Sequence, residues 1–262
     1  MNYLRAFFVT VFVTLFASAA FSQTPAAVER ELTGYLANIS KYGSYGGSFD
    51  DEKLRKNNDD LRAALIKQGK RADILKFAFP GLNIKMYVAT SSDGRFRIYS
   101  WDLESGGTMH DFDAVFQYKG KSGKIYTWTD SDSDHEDGGA FYHQIFQTDT
   151  PTGAIYLGVS TNIASTSYAG QRISAFRING EKLDTDAKVI KTGSGIKNSV
   201  GFQYDFFSVV EHKERPIRLF SYNEEKKSFR FPIVIEDKKT PQGRVTNRFI
   251  TYRFDGKYFV RM

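Results

Sequence analysis

Apolar and polar residues alternate along most of the chain that follows residue 74. The clearest runs are residues 82–88 and residues 229–235, in which apolar residues recur at every second position. Alternation with period two places these residues on one face of a β-strand. Aromatic residues make up 15% of the chain, and they favour strand surfaces that are packed on one side. The pattern predicts a mainly β, antiparallel, multi-stranded domain over residues 74–262.

Three short polar segments have the composition of tight hairpin turns. They contain Asp93-Gly94, Asn179-Gly180 and Asp255-Gly256, each between two strand-like runs. Two-residue hairpin turns need positive backbone φ angles, which Gly, Asn and Asp tolerate better than other residues. These segments therefore predict antiparallel strand pairs.

A weak internal repeat accompanies these turns. Residues 116–121, 176–181 and 252–257 share an aromatic residue, a long polar residue, an apolar residue, a turn residue, Gly and a charged residue in that order. The spacing is uneven, so it indicates either four-stranded units like propeller blades or ordinary reuse of one hairpin chemistry. A propeller-like meander and a β-sandwich are both compatible with the sequence.

Two short amphipathic helices are predicted before the β domain, within residues 23–73. For the first, Thr24 and Pro25 form a typical helix start, followed by the apolar residues Val28, Leu32, Leu36 and Ile39. For the second, Ser48 and Asp51 resemble a capping box, and the helix is expected to end near Gln68, before Gly69.

The first 22 residues have the pattern of a secretory signal peptide. Arg5 precedes an apolar stretch over residues 6–16, and small residues follow it. The stretch is shorter than the roughly 20 residues that a membrane-spanning helix needs. We expect cleavage after Ser22, with cleavage after Ala19 as the alternative. The sequence thus predicts a periplasmic or secreted, soluble protein without a transmembrane anchor after signal removal.

The composition of the chain excludes several kinds of functional site. The chain has no cysteine, which excludes disulfides, thiol catalysis, Cys-ligated zinc and iron–sulfur clusters. The net charge is +6, with acidic residues concentrated in residues 101–150 and basic residues in residues 211–262. In an exported protein a basic C-terminal third indicates an anionic envelope polymer or glycan as partner rather than nucleic acid, or else a solvated strand surface.

An acidic segment at residues 130–137 is the sharpest local motif. Asp130, Asp132 and Asp134 alternate, so their carboxylates can converge on calcium. The segment resembles the opening of Asp-x-Asp-x-Asp calcium loops such as the EF-hand loop, but Glu136 and Phe141 occupy positions where that loop has Gly and Glu. The alternative is a solvated acidic turn.

Several residues near this segment have two interpretations each. His110, His135 and His143 could join carboxylates in a divalent-metal site, or they could be packed histidines; His143 shares strand parity with Phe141. The tryptophans, Trp101 and Trp128, are either sugar-stacking platforms or core residues.

Recognisable catalytic motifs are missing from the sequence. It contains no Gly-x-Ser-x-Gly elbow, no phosphate-binding Gly-rich loop and no His-Glu-x-x-His zinc motif. We therefore expect a non-catalytic ligand-binding or envelope-interaction module. The alternative is a metal-assisted hydrolase that uses the acidic segment at residues 130–137 and the nearby histidines.

Overall fold

The computed structural model describes residues 23–82, 86–129 and 139–262. The proposed signal peptide and the acidic segment at residues 130–137 lie outside these ranges. Among the described helices, none has the length and apolar character needed to cross a membrane.

Helices open the described chain, as predicted. They are α1 (Pro25–Tyr42), α2 (Asp51–Gln68) and a short α3 (Ala72–Lys76). The hydroxyl oxygen of Thr24 accepts the backbone N–H of Ala27 at 3.2 Å, which confirms the predicted start of α1. The start of α2 differs from the prediction, because Asp50 rather than Ser48 is the N-cap and accepts the backbone N–H of Lys53 at 3.1 Å.

The rest of the described chain is mainly β, and its strands form three sheets. The first sheet has the order β1-β2-β3-β4, and all its pairs are antiparallel. Its strands are β1 (Met86–Thr90), β2 (Phe96–Asp102), β3 (Phe112–Lys119) and β4 (Ile125–Thr129).

The second sheet is also antiparallel, with the order β11-β7-β6-β5, and β8 pairs with the far end of β7. Its strands are β5 (Phe141–Thr150), β6 (Gly153–Ile163), β7 (Tyr168–Asn179), β8 (Lys182–Asp184) and β11 (Ser199–Asp205). The intervening strands β9 (Ile190–Thr192) and β10 (Gly195–Lys197) belong to the third sheet.

The third sheet has the order β10-β9-β15-β14-β13-β12. Its remaining strands are β12 (Ser221–Asn223), β13 (Ser228–Ile235), β14 (Arg244–Phe254) and β15 (Phe259–Arg261). One pair, β15 with β9, is parallel. A 3₁₀ turn, Phe206–Val209, lies between β11 and β12 in sequence.

The predicted repeat falls at the same place in each sheet. Consecutive strands β1–β4, β5–β8 and β12–β15 each form a four-stranded antiparallel unit, and the repeat spans the turn between the third and fourth strand of each unit. Gly180 and Gly256 have positive φ angles of 63° and 105°, but Asn179 and Asp255 do not, so the strand pairs are as predicted and the form of the turns is not. In the first unit the positive φ is at Gly123, not at Gly120.

The elements stack in four layers, in the order helices, first sheet, second sheet, third sheet. Strand β2 lies between two of these layers. Its residues Tyr99 and Trp101 pack against the helices, whereas Phe96 and Ile98 pack against the second sheet. The other face of the second sheet packs on the third through residues such as Leu157 and Phe229. Strands in the middle of the stack are therefore buried on both faces.

Buried polar side chains fix the helices on the first sheet. Asn58 of α2 accepts the indole N–H of Trp101 at 2.9 Å and donates to the backbone carbonyl of Leu103 at 3.0 Å. Gln117 donates to the carbonyl of Gly69 at 2.7 Å and accepts the hydroxyl of Tyr99 at 2.8 Å. Because these groups are buried, each hydrogen bond specifies one docking position.

Arg97 fixes α3 in the same way. This buried side chain donates to the backbone carbonyls of Ile74 and Phe77 at 3.0 and 2.9 Å, and to the hydroxyl of Thr90 at 2.8 Å. The helical region thus continues past the predicted boundary at residue 74, and the first described strand begins at Met86.

We expect the substitution Asn58→Ala to lower the free energy of unfolding by about 2 kcal/mol, because it leaves the buried indole N–H of Trp101 and the carbonyl of Leu103 without this partner. Urea denaturation followed by tryptophan fluorescence measures the change. The matched control is Asn57→Ala on the same helix, whose hydrogen bonds are exposed, and its cost should stay below about 1 kcal/mol. Equal losses in the two variants would contradict the assigned role of Asn58.

Candidate functional site

A cleft of about 580 Å³ opens where the ends of several strands of the first and second sheets meet. It is lined by the α1–α2 connector, the ends of β2, β6 and β11, the starts of β3, β5 and β7, and the segment after the 3₁₀ turn. Its polar and charged lining includes Tyr45, Asp102, Glu104, His110, Gln171 and Arg215; its apolar lining includes Tyr87, Phe112, Phe141, Ile163, Phe206 and Ile217.

An Asp–His pair lies in this cleft. Asp102 ends β2, and its carboxylate accepts the backbone N–H of Glu104 at 2.8 Å through Oδ1. The other oxygen, Oδ2, lies 2.5 Å from His110 Nδ1. Because a carboxylate accepts, Nδ1 carries the proton, and the pairing fixes the ring orientation. His110 Nε2 then faces the hydroxyl of Tyr45, 3.4 Å away.

The backbone around Asp102 brings Tyr45 to this pair. Glu104 has a φ of 53°, which is unusual for a residue with a side chain. Its carbonyl accepts the backbone N–H of Ser44 at 2.8 Å, so the loop after β2 is bonded to the α1–α2 connector. The ring of Tyr45 is consequently stacked on His110 with the centroids 5.4 Å apart.

Acidic neighbours favour the protonated form of His110. Its pKa is raised, first by the hydrogen bond to Asp102 and then by the charges of Asp102, Glu104 and Asp111, against an opposing effect of burial. The pKa of Tyr45 is also raised, by burial and by the charges of Asp102 and Glu104. The polar end of the cleft therefore holds an imidazole that is protonated over a wider pH range than a free histidine.

Aromatic rings form one wall of the cleft. Tyr87 and Phe141 are stacked with ring centroids 4.2 Å apart, and Phe112 lies 5.0 Å from Phe141. His110 stacks on Phe112 at 6.1 Å, so the wall is continuous with the Asp–His pair. Burial raises the pKa of Tyr87, and its hydroxyl is therefore neutral at physiological pH.

Gln171 supports another part of the cleft lining. This buried amide donates to the carbonyl of Ile217 at 2.6 Å and accepts the backbone N–H of Leu219 at 3.2 Å. It thereby holds the segment that contains the cis peptide bond between Arg215 and Pro216. Arg215 itself donates to the backbone carbonyls of His212 and Glu214 and also lines the cleft.

The arrangement is an oriented imidazole whose hydrogen-bond partners in the described chain, Asp102 and Tyr45, include no serine or threonine hydroxyl. Ser165 lines the cleft, but its hydroxyl accepts the backbone N–H groups of Ser167 and Tyr168 at 3.3 and 3.1 Å within a turn. In the described residues, the hydrogen-bond partner of His110 Nε2 is Tyr45. Such a site can bind a polar group in a fixed orientation and exchange a proton with it.

The predicted calcium ligands Asp130, Asp132 and Asp134 lie outside the described residues, as does His135. Within the described ranges, no three His, Asp or Glu side chains form a group that could hold a metal ion. The acidic residues next to His110 in sequence have other partners: Asp113 pairs with Arg62 of α2 at 2.5 Å, and Asp111 accepts the hydroxyl of Ser105 at 2.8 Å.

His143 and His110 have different hydrogen-bond partners. A β-bulge lies between Tyr142 and Gln144, so simple parity with Phe141 does not define where His143 lies. Its Nε2 lies 3.2 Å from the hydroxyl of Thr161, and its Nδ1 is shielded from solvent without a hydrogen-bond partner in the described chain. Burial lowers its pKa to about 4, with a smaller effect of the charge of Arg218.

The two tryptophans lie in different environments. Trp101 is fully buried against the helices, whereas Trp128 is half-buried, packs on Phe116 with the ring centroids 5.0 Å apart and lines a second cleft. They therefore do not form one sugar-stacking platform together. The sequence reasoning also missed Asp102 and Tyr45, although Asp102 and His110 flank a Gly-containing loop short enough to bring their side chains together.

No protein-family model, no curated protein and no solved structure matches this chain at a significant level.

We expect the substitution Asp102→Asn to lower the pKa of His110, because it removes the carboxylate that makes the largest contribution to its rise. An NMR titration of the His110 ring signals measures the pKa. Asp111→Asn is the matched control and should lower the pKa less, since Asp111 acts through space and contributes least of the named groups. A larger effect of Asp111→Asn would contradict the assigned pairing.

The two histidines should give opposite pH dependences of stability. His110, whose folded-state pKa is raised above 6.5, stabilises the fold below that pH, and its contribution is lost as the pH rises through the folded-state pKa. His143, whose folded-state pKa is about 4, contributes to stability above pH 6.5. This contribution is lost as the pH falls toward 4.

Urea denaturation at pH values from about 4 to 8 measures how the free energy of unfolding changes with pH on either side of the ordinary histidine pKa. His143→Gln should flatten the acid side of the stability curve and leave the alkaline side unchanged, and His110→Gln should do the reverse. An unchanged acid slope in His143→Gln would contradict the burial of a neutral imidazole at this position.

Proposed function

We propose that this chain is an exported, non-catalytic ligand-binding protein, and that the cleft beside Asp102 and His110 binds a small amphipathic molecule. The observation that carries the proposal is the oriented imidazole at one end of an aromatic-walled cleft, with no serine or threonine hydroxyl bonded to it in the described chain. Small-molecule sites are typically concave and mostly apolar, with a few polar groups that fix orientation.

The size of the cleft agrees with such a ligand. About 580 Å³ falls within the range of roughly 300–1,000 Å³ that is usual for small-molecule sites. The stacked rings of Tyr87 and Phe141 offer an apolar surface to the body of the ligand. His110 Nε2 and the hydroxyl of Tyr45 offer hydrogen bonds to its polar end.

Exposed apolar residues next to the cleft support a ligand that is longer than the cleft. Tyr45 lines it and is 57% exposed; Met109, between two lining residues, is 44% exposed; Phe207, which follows a lining residue, is 58% exposed. Exposed large apolar groups that cluster at one place mark interaction sites more often than solvated surface. An acyl or aryl chain that extends out of the cleft would cover them.

The propeller-like arrangement belongs to the same proposal. We favour it over a β-sandwich because three four-stranded units follow one another in the chain and stack face to face, and because each carries the repeat at the same turn. We also propose that the protein is periplasmic or secreted, and that it binds calcium at Asp130, Asp132 and Asp134.

A metal-assisted hydrolase is the second candidate. The Asp102–His110 pair favours it, because a carboxylate that orients an imidazole is the arrangement used for general acid–base catalysis. In that case the acidic segment at residues 130–137 would supply the metal ligands, and water would be the nucleophile.

We expect the protein to bind N-phenyl-1-naphthylamine, a neutral apolar fluorophore, with one site that the substitution Thr166→Trp removes. Thr166 is an exposed residue that lines the cleft, so an indole there fills the cleft without disturbing the core. A fluorescence titration measures the affinity. Ile196→Trp, on an exposed strand of the third sheet, is the control and should leave this site intact.

Two outcomes would contradict the proposal. If Thr166→Trp and the parent protein bound the fluorophore equally, the cleft would not be the site. If a hydrolase substrate panel with added calcium or zinc gave turnover that was lost in both His110→Ala and Asp130→Ala, the protein would be the metal-assisted enzyme.

A further inference from the structure

The outer face of the third sheet is the last surface of the layered stack. The helices cover one face of the first sheet, and the second sheet lies between the first and the third. The third sheet packs on the second through Phe229, Phe231 and Phe259. Side chains that alternate with these buried residues point away from the stack.

Strand register identifies which residues share this outer face. Arg253 of β14 is opposite Ser228 of β13 and Val260 of β15, and Val260 is in turn opposite Lys191 of β9. Arg230 of β13 is opposite Thr251 of β14, one step further along the same face. Three cationic side chains therefore lie on one face within four neighbouring strands, roughly 15 Å across at the usual strand spacing.

This cationic face, defined by Lys191, Arg230 and Arg253, has no compensating carboxylates on its described strand positions. The acidic residues nearest to it in sequence, Glu224 and Asp255, lie in turns at the ends of the strands. The pKa of Asp255 is lowered by backbone hydrogen bonds and, to a smaller extent, by the charge of Lys191, so Asp255 partly compensates Lys191. Arg230 and Arg253 have no such neighbour on the described strands. Surfaces that serve only for solubility typically carry positive and negative side chains interspersed.

Arg230 is held in place on this face. Its Nε donates to the hydroxyl of Ser221 at 3.1 Å, and its guanidinium carbon lies 4.6 Å from the centre of the Phe249 ring. These contacts fix the guanidinium over the strand surface before any partner arrives. Binding through it therefore costs little side-chain entropy.

Apolar side chains lie among the cations. Phe249 is 46% exposed and Ile196 is 39% exposed, and Val260 lies in the row between Arg253 and Lys191. A hydrated anionic polymer gives these side chains no apolar surface to pack on, because it is polar along its whole length. The boundary between lipid headgroups and acyl chains accepts apolar side chains and attracts cations together.

We propose that the cationic face of the third sheet docks on an anionic lipid bilayer surface. The lipid phosphates pair with Lys191, Arg230 and Arg253, and Phe249 and Ile196 enter the interface beside them. This surface is distinct from the cleft, and the proposal does not depend on what the cleft binds.

Vesicle sedimentation of the purified mature protein, without the predicted signal peptide at residues 1–22, tests this proposal. We expect stronger binding to vesicles with roughly one third phosphatidylglycerol in phosphatidylcholine than to phosphatidylcholine alone. The triple variant Lys191→Gln, Arg230→Gln and Arg253→Gln should reduce the partition coefficient to the anionic vesicles about 100-fold, given about fivefold per cation at such a surface. The preference for anionic vesicles should also disappear at about 0.5 M sodium chloride, where screening shortens electrostatic attraction.

The matched control is Lys67→Gln, Lys70→Gln and Lys76→Gln, which removes the same charge from exposed positions in the helical region. It should change binding to anionic vesicles less than about threefold, since these lysines are remote from the face. Equal losses in the two triple variants would overturn the proposal in favour of a net-charge effect. Binding to soluble alginate that depended on the same three cations, without preference for anionic vesicles, would overturn it in favour of a polymer site.

Discussion

The structure depends on the burial of the first sheet between the helices and the second sheet. Strand β2 carries this constraint, because Tyr99 and Trp101 face the helices while Phe96 and Ile98 face the second sheet. A sheet that is covered on both faces can present a ligand site only at its strand ends or edges. The cleft lies at such an end, where β2 ends at Asp102 and β3 begins at Phe112.

Helix docking and site geometry are therefore parts of one arrangement. Asn58 and Gln117 select the position of the helices through buried hydrogen bonds. That position brings the α1–α2 connector to the loop after β2, where Ser44 bonds to the carbonyl of Glu104. Tyr45 reaches His110 as a result. Since the chain has no cysteine, noncovalent packing and hydrogen bonds of this kind must supply the rigidity of the cleft.

Features that depend on a few neighbouring residues could be predicted from the sequence. The start of α1 at Thr24 and the hairpins at Gly94, Gly180 and Gly256 follow from local capping and backbone preferences. Alternation was a weaker guide, because strands β2 and β6 are buried on both faces and so mix apolar and polar residues on each.

Most of the candidate site depends on contacts between distant segments. The sequence singled out His110, but its partner Asp102 becomes recognisable only when the loop between them closes, and Tyr45 comes from another layer. The bulge at His143 shifts strand parity by one residue, which no local pattern announces. Parallel pairing of β9 with β15 joins residues far apart in the chain and was likewise beyond local signals.

That parallel pairing has a consequence for the order of assembly. Strand β9 joins the third sheet through β15, where Ile190 is opposite Phe259, and β10 is attached through β9. The segment from Ile190 to Lys197 therefore has no template in this sheet until residues 259–261 are in position. Strands β1–β4 do not depend on a strand from a distant part of the chain, because each pairs with its immediate neighbour in sequence. The edge formed by β9 and β10 should therefore join the third sheet only after β15 is in place.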